Sequence, residues 1–135
     1  FDLAHSVVIG HSAGGHLALL AGAAMPQLKG VLGLAAITDI EEYAAGANSC
    51  HQVTKEFMQG MPQDNPSAYQ LANPSKQKLH SNTVILQGNK DPIVPAFELD
   101  KLNRKIVMLE GVGHFDWIHP GSDAFKALVT QLDRL

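Results

Sequence analysis

Residues 7–24 read VVIGHSAGGHLALLAGAA. Residues 6–9 (SVVI) form a short β-branched run ending at Gly10, the pattern of a buried parallel strand. Ala13–Ala24 is rich in Ala and Leu and predicts a helix, with Pro26 beyond its end. Between them, Gly10-His11-Ser12-Ala13-Gly14 fits G-x-S-x-G. The pattern alone arises by chance in about 5% of chains of this length at ordinary Gly and Ser frequencies. Its place between strand and helix adds the physical content. A sharp strand-to-helix turn crowds the serine backbone, so Gly10 and Gly14 are both expected to be needed for their lack of bulk. The turn lifts the Ser12 hydroxyl clear of the sheet. The helix N-terminus behind it adds positive potential where an oxyanion would form, and the backbone N–H of Ala13 is a natural donor to it.

The alternation continues along the chain. Residues 30–37 (GVLGLAAI), 83–87 (TVILQ) and Lys105–Leu109 (KIVML) read as further strands. Residues 122–135 carry Phe125, Leu128, Val129 and Leu132 on one helical face. Residues 41–45, 52–59, 67–72 and 95–103 read as short helices, punctuated by Pro62, Pro66 and Pro74. Strands alternating with helices predict an α/β fold with parallel sheet strands flanked by helices. Such sheets bind ligands at the carboxyl ends of their strands. The first strand runs into Gly10-His11-Ser12 and the second into Thr38-Asp39. The third runs into Gly88-Asn89-Lys90-Asp91 and the fourth into Gly111-Val112-Gly113-His114. A serine, two carboxylates and a histidine therefore fall on one sheet edge.

A serine hydroxyl is a poor nucleophile until a base takes its proton. Of the seven histidines, His114 is the best base, because its flanking glycines let the loop reach across the edge. His11 reads as pocket wall. His16, one helical turn past Ser12, could touch it, but a base on the nucleophile's own helix is poorly placed to serve the substrate as well, and it reads as packing. The base needs an acid to fix its tautomer and stabilise the imidazolium. Asp91, on a loop stiffened by Pro92 and Pro95, is the first choice, and Asp39 is the competitor. Asp116 lies too near His114 in sequence and reads as a loop-fixing or capping residue. Cys50-His51 lacks an elbow. Tyr43, Phe57, Met58, Met61 and Tyr69 either line a pocket or pack over the sheet.

Bulk properties set the remaining bounds. The chain has 135 residues, 45% hydrophobic and 17% charged, which is globular material for one domain or part of one. The net charge of −3, without a basic run, argues against a nucleic-acid surface and a polybasic membrane anchor. No apolar run approaches the roughly 20 residues of a membrane-spanning helix. Cys50 is the single cysteine, so no intrachain disulfide forms. No histidine pair has metal-ligand spacing, and neither metal nor cofactor is expected. Phe1 opens the chain almost directly into a strand, which suggests a piece of a longer protein. The cytoplasm is the favoured compartment, with a leader upstream of Phe1 left open.

Serine, aspartate and histidine in this chain order, each after a strand, resemble the α/β-hydrolase fold superfamily. GHSAGGHLAL (10–19), LQGNKDPIVP (86–95) and GVGHFDWIHP (111–120) are similar to the elbow, acid loop and histidine loop of its esterase and arylformamidase-like (carboxylesterase) branch. The resemblance covers essentially the whole chain, but only the C-terminal half of the family's domain. It implies Ser12 as nucleophile, His114 as base, Asp91 as acid and Ala13 N–H as one oxyanion donor. Residues 38–82 would correspond to a cap or lid, and His11, Asp39, Ile93 and Phe115 to the substrate pocket. The family's earlier strands, and the loop that supplies a second oxyanion donor, are not in these residues. The first strand would then have an unpaired apolar edge, so the 135 residues alone are expected to be neither stably folded nor active.

The implied activity is cleavage of a small carboxylic ester, or of an aryl formamide or amide, through an acyl-enzyme. The partner is a small-molecule substrate. A lyase or peroxidase on the same scaffold is a rival, and would turn over chromogenic esters poorly. A non-catalytic hydrolase-like scaffold is another, against which all three chemical positions are intact. A truncated, inactive product is the third.

Overall fold

The computed structural model describes residues 2–96 and 99–135. Four parallel strands form one sheet in the order β1-β2-β3-β4: β1 (Val7–His11), β2 (Gly30–Leu34), β3 (Thr83–Gly88) and β4 (Lys105–Leu109). The register pairs Val7 with Gly30, Val31 with Thr83 and Val84 with Lys105. The two inner strands are buried at every residue, as their unbroken apolar runs require. Among the described residues β1 pairs only with β2, and Ile9 on it is 41% exposed.

Parallel neighbours need crossovers. α1 (Ala13–Ala24) joins β1 to β2, while α2 (Ile40–Ala44), α3 (Ser49–Phe57) and α4 (Pro66–Ala72) lie between β2 and β3. α5 (Asp123–Asp133) closes the chain, capped by Ser122, whose Oγ accepts from Phe125 N–H at 3.0 Å. Side-chain alternation along β2 divides the core between the two faces. Leu32 and Leu34 pack with Trp117, Ala124 and Leu128 on the α5 side. Val31 packs with Ala18 and Leu19 of α1 on the other. α1 sits very close to the sheet: a Cβ on Gly15 would stand 2.6 Å from Ala36 Cβ, and one on Gly22 would overlap Val31.

A third cluster joins Ile37 and Val94 to Ile40, Tyr43, Ala44, Met58 and Tyr69 from the 38–82 region. Met58 and Tyr69 are therefore core.

The elements differ from expectation at their ends. The second strand stops at Leu34, because Ala35 has φ 46° and turns the chain. α3 starts at Ser49, before the expected residue 52, because Asn48 accepts the His51 N–H at 2.9 Å while His51 Nδ1 accepts the Asn48 N–H. Of the helix expected over 95–103, residues 97–98 lie outside the described residues, and Leu99–Leu102 form a single 3-10 turn.

Candidate active site

The turn from β1 into α1 is a single residue. Ser12 N–H donates to Leu34 O at 2.8 Å, in line with the sheet, and Ser12 O accepts from His16 N–H at 3.0 Å, opening the helix. Meeting both demands puts Ser12 at φ 57°, ψ −121°, a backbone region that costs a side-chain-bearing residue about 1–3 kcal/mol. The Ser12 side chain makes no cap bond, so its hydroxyl stays available at the helix N-terminus.

Of the two glycines beside it, one departs from expectation. A Cβ on Gly10 would overlap the carbonyl of Gly14, as the turn demands. One on Gly14 would meet nothing within 4 Å among the described residues. The second position requiring minimal bulk is Gly15, against Ala36. The crowded side of α1 is the one facing the sheet, and Gly14 points away from it.

At the ends of β3 and β4 the acid and histidine loops are laced together. Asn89 N–H donates to Leu109 O at 3.1 Å and Lys90 N–H to Val112 O at 3.0 Å. Gly111 N–H donates to Asn89 Oδ1 at 2.8 Å. A Cβ on Gly88 would overlap the Val112 carbonyl, so glycine permits this approach. Asp116 Oδ2 accepts from Gly113 N–H at 2.7 Å, the loop-fixing place its sequence position suggested. The lacing brings His114 Nδ1 within 2.7 Å of Asp91 Oδ2, with only 4% and 0% of the two side chains exposed. A buried carboxylate needs donors for its remaining lone pairs. Asp91 Oδ1 receives Ile93 N–H at 2.8 Å and Val94 N–H at 2.9 Å. Gln87 Nε2 lies 3.4 Å from Oδ2 and donates to Val94 O at 2.9 Å. With Nδ1–H committed to Asp91, the His114 tautomer leaves Nε2 as a proton acceptor.

His11 Nε2 donates to His114 O at 2.8 Å, across 103 residues. Its ring lies 4.6 Å from the His114 ring, and the Phe115 ring stands edge-on to His114 at 5.0 Å. This ties the residue before Ser12 directly to the histidine loop. Among the described residues no hydrogen bond joins Ser12 Oγ to His114.

Asp39, the competing acid, is committed elsewhere. It caps α2, accepting Glu41 N–H at 3.0 Å and Glu42 N–H at 3.1 Å, and binds Asn73 Nδ2 and Ser75 Oγ, each at 2.9 Å. Burial pulls its pKa upward, but these hydrogen bonds outweigh burial and hold it below the usual 3.8. The first turn of a helix needs an acceptor for its free N–H groups, and Asp39 supplies it.

A cavity of about 430 Å³ opens between α1 (His16, Leu17) and α3 (Val53, Phe57), over Ile40, with Ser12 and Ala13 in its wall. None of His11, Asp39, Ile93 and Phe115 lines it. Asp39 borders a separate cavity of about 60 Å³ with Thr38 and Val94. Tyr43 and Phe57 both line the larger cavity. Burial, helped by Cys50 and the Asp91 charge, pushes the Tyr43 hydroxyl up to about 12. The sequence left Tyr43 and Phe57 open between pocket and packing; it did not single out Leu17, Val53 and Thr54, because α3 meets α1 here only through packing.

The BD-FAE family model matches residues 1–106. No curated protein matches the chain. Several solved structures do, with low identity. A dipeptidyl peptidase 4 from Porphyromonas gingivalis is 19% identical at a TM-score of 0.76, over 98% of this chain and 19% of its own. Esterase B from Lactobacillus rhamnosis is 15% identical at 0.74, over 99% and 53%. A puromycin-hydrolyzing peptidase from Mycobacterium tuberculosis is 22% identical at 0.68, over 84% and 19%. The chain thus spans about a fifth of the two peptidases and about half of the esterase. At these identities the likeness is one of fold: parallel strands crossed by helices. By the match of its first 106 residues and by this architecture, the chain belongs to the BD-FAE family, an α/β-hydrolase-type family.

Proposed function

We propose that this chain carries the nucleophile, base and acid of a serine hydrolase that cleaves small carboxylic esters by acyl transfer. The observation that carries the reading is a buried His114–Asp91 pair at 2.7 Å on the same sheet edge as a strained serine at a helix N-terminus. Ser12 Oγ attacks the ester carbonyl carbon while its proton passes to His114 Nε2. Asp91 holds Nδ1–H and balances the imidazolium charge. The carbonyl oxygen becomes an oxyanion, received by Ala13 N–H and by a second donor contributed from outside these residues. One such donor is worth about 10²–10³ in rate. The C–O bond to the alcohol then breaks, and the alcohol leaves with the proton from His114 Nε2. Water attacks the acyl-enzyme, losing a proton to the same nitrogen, and the acid is released as Ser12 recovers its hydrogen.

Ester cleavage is preferred to cleavage of an aryl formamide or amide on two grounds: the resemblance of the three loops to the esterase branch, and the esterases among the structural neighbours. The test is an intact mass spectrum of the native, full-length protein after a fluorophosphonate, with a fragment map. A single adduct on Ser12 is expected. An unlabelled Ser12 in folded protein overturns the reading. Parallel assays with ethyl esters and aryl formamides decide the bond cleaved.

A further inference from the structure

His16 was expected to be packing, and its Nε2 does meet a backbone carbonyl. The distance from Nε2 to Ala72 O is 2.6 Å. A carbonyl only accepts, so Nε2 carries the hydrogen. Burial lowers the ring's pKa below the ordinary 6.5, against the opposing effect of the Ala72 carbonyl, so the ring is neutral near pH 7. Nδ1 is therefore a bare acceptor. Among the described residues it has no partner. Trp117 Nε1 is the one side-chain polar atom among them that is both sealed from solvent and unpaired. Nδ1 of His16 is therefore not sealed, and His16 lines the cavity beside Ser12. The rest of the wall is mainly apolar (Leu17, Ile37, Ile40, Val53 and Phe57), with Tyr43, Ser49, Cys50 and Thr54 supplying its other polar atoms.

Position in the reaction decides which part of a substrate lies there. The leaving alcohol must reach His114 Nε2 to take its proton. His114 does not line the cavity, whereas Ser12 and Ala13 do. The portion that stays on Ser12, the acyl group, is the one that enters it. His16 is one helical turn from Ser12, about 5.4 Å along the axis. We infer that His16 determines specificity: its Nδ1 receives a hydrogen bond from a hydroxyl or N–H carried on an otherwise apolar acyl chain, about one helical turn from the reacting carbonyl. An acyl chain lacking that donor strips water from Nδ1 and leaves it unpaired, and the site discriminates against it. This inference rests on Ser12 being the nucleophile.

The test uses the native, full-length protein with ethyl hexanoate, its 5- and 6-hydroxy derivatives and their methyl ethers, followed by acid release. A methyl ether accepts but cannot donate. Expected is a kcat/KM about fivefold or more higher for one hydroxy ester than for both the parent ester and the matching ether. In His16→Phe the ratio between hydroxy ester and parent falls toward 1. The comparison of hydroxy ester with ether is made in the unaltered protein, so it holds even if the variant folds poorly. Turnover of all the esters with ratios within about twofold, alongside a fluorophosphonate adduct on Ser12, overturns the inference and leaves the hydrolase reading standing. No turnover and no adduct on Ser12 overturn both.

Discussion

The two glycines of G-x-S-x-G are predicted to respond oppositely to alanine. In Gly10→Ala the new Cβ overlaps the Gly14 carbonyl and stands 2.7 Å from Gly15 N. All three contacts are backbone, so no rotamer change relieves them, and the elbow itself must shift. Ordinary overpacking costs about 1–3 kcal/mol, and a clash that only backbone movement can relieve lies at the top of that range or above. On the proposed role of Ser12, a shift of about 1 Å there costs about 100-fold in rate on top of that. Gly14→Ala meets open space among the described residues, and Gly14 is an α1 residue without a positive φ. Removing glycine's conformational freedom from a helix stabilises by about 0.5–1 kcal/mol. For a domain of this size that raises Tm by about 2–6 °C. The assay is thermal unfolding of the native protein with the rate of fluorophosphonate labelling at Ser12. Gly10→Ala should melt lower and label about 100-fold more slowly, whereas Gly14→Ala should melt higher. A Gly14→Ala variant that loses more than about 1 kcal/mol, or a Gly10→Ala variant that labels at the parent rate, refutes the reasoning.

On the proposed mechanism, Asp91→Asn keeps the shape of the carboxylate but presents the wrong group to Nδ1, and kcat for ester hydrolysis should fall about 10⁴-fold with KM little changed; steady-state kinetics checks this. Asp39→Ala removes the α2 cap together with the acceptor for Asn73 and Ser75, and should destabilise by about 1–3 kcal/mol in urea unfolding, with Ser12 labelling per folded molecule unaffected. The folded pKa of His16 is depressed below 6.5, so its contribution to stability is present above that value and is lost as pH falls through it toward the folded pKa. Urea midpoints at about pH 7.5 and about pH 5 should therefore converge in His16→Phe relative to the parent protein; an unchanged difference would show that His16 does not carry it.

Four strands, the main helices and the sheet's parallel sense were legible along the chain, because apolar runs, periodicity and proline positions act locally. The placing of Ser12, Asp91 and His114 on one edge followed from that, since strand ends in a parallel sheet share an edge. The residues favoured Asp91 over Asp39 as the partner of His114 but did not show what each is bound to. That turns on loop lacing through Gly88 and Asn89, and on Asn73 and Ser75, 34 and 36 residues from Asp39. No local pattern reports such partners.

The contrast between Gly14 and Gly15 is of the same kind. Both are helix-start glycines in the text, and only the sheet beneath, at Ala36, distinguishes them. The cavity wall from α3, the His16 bond to Ala72 across 56 residues and the His11 bond to His114 across 103 likewise depend on packing. Backbone preference and burial pattern act over a few residues and choose the elements. Which side chains then meet is set by the approach of elements distant in the chain, and that approach exists only once the core has formed.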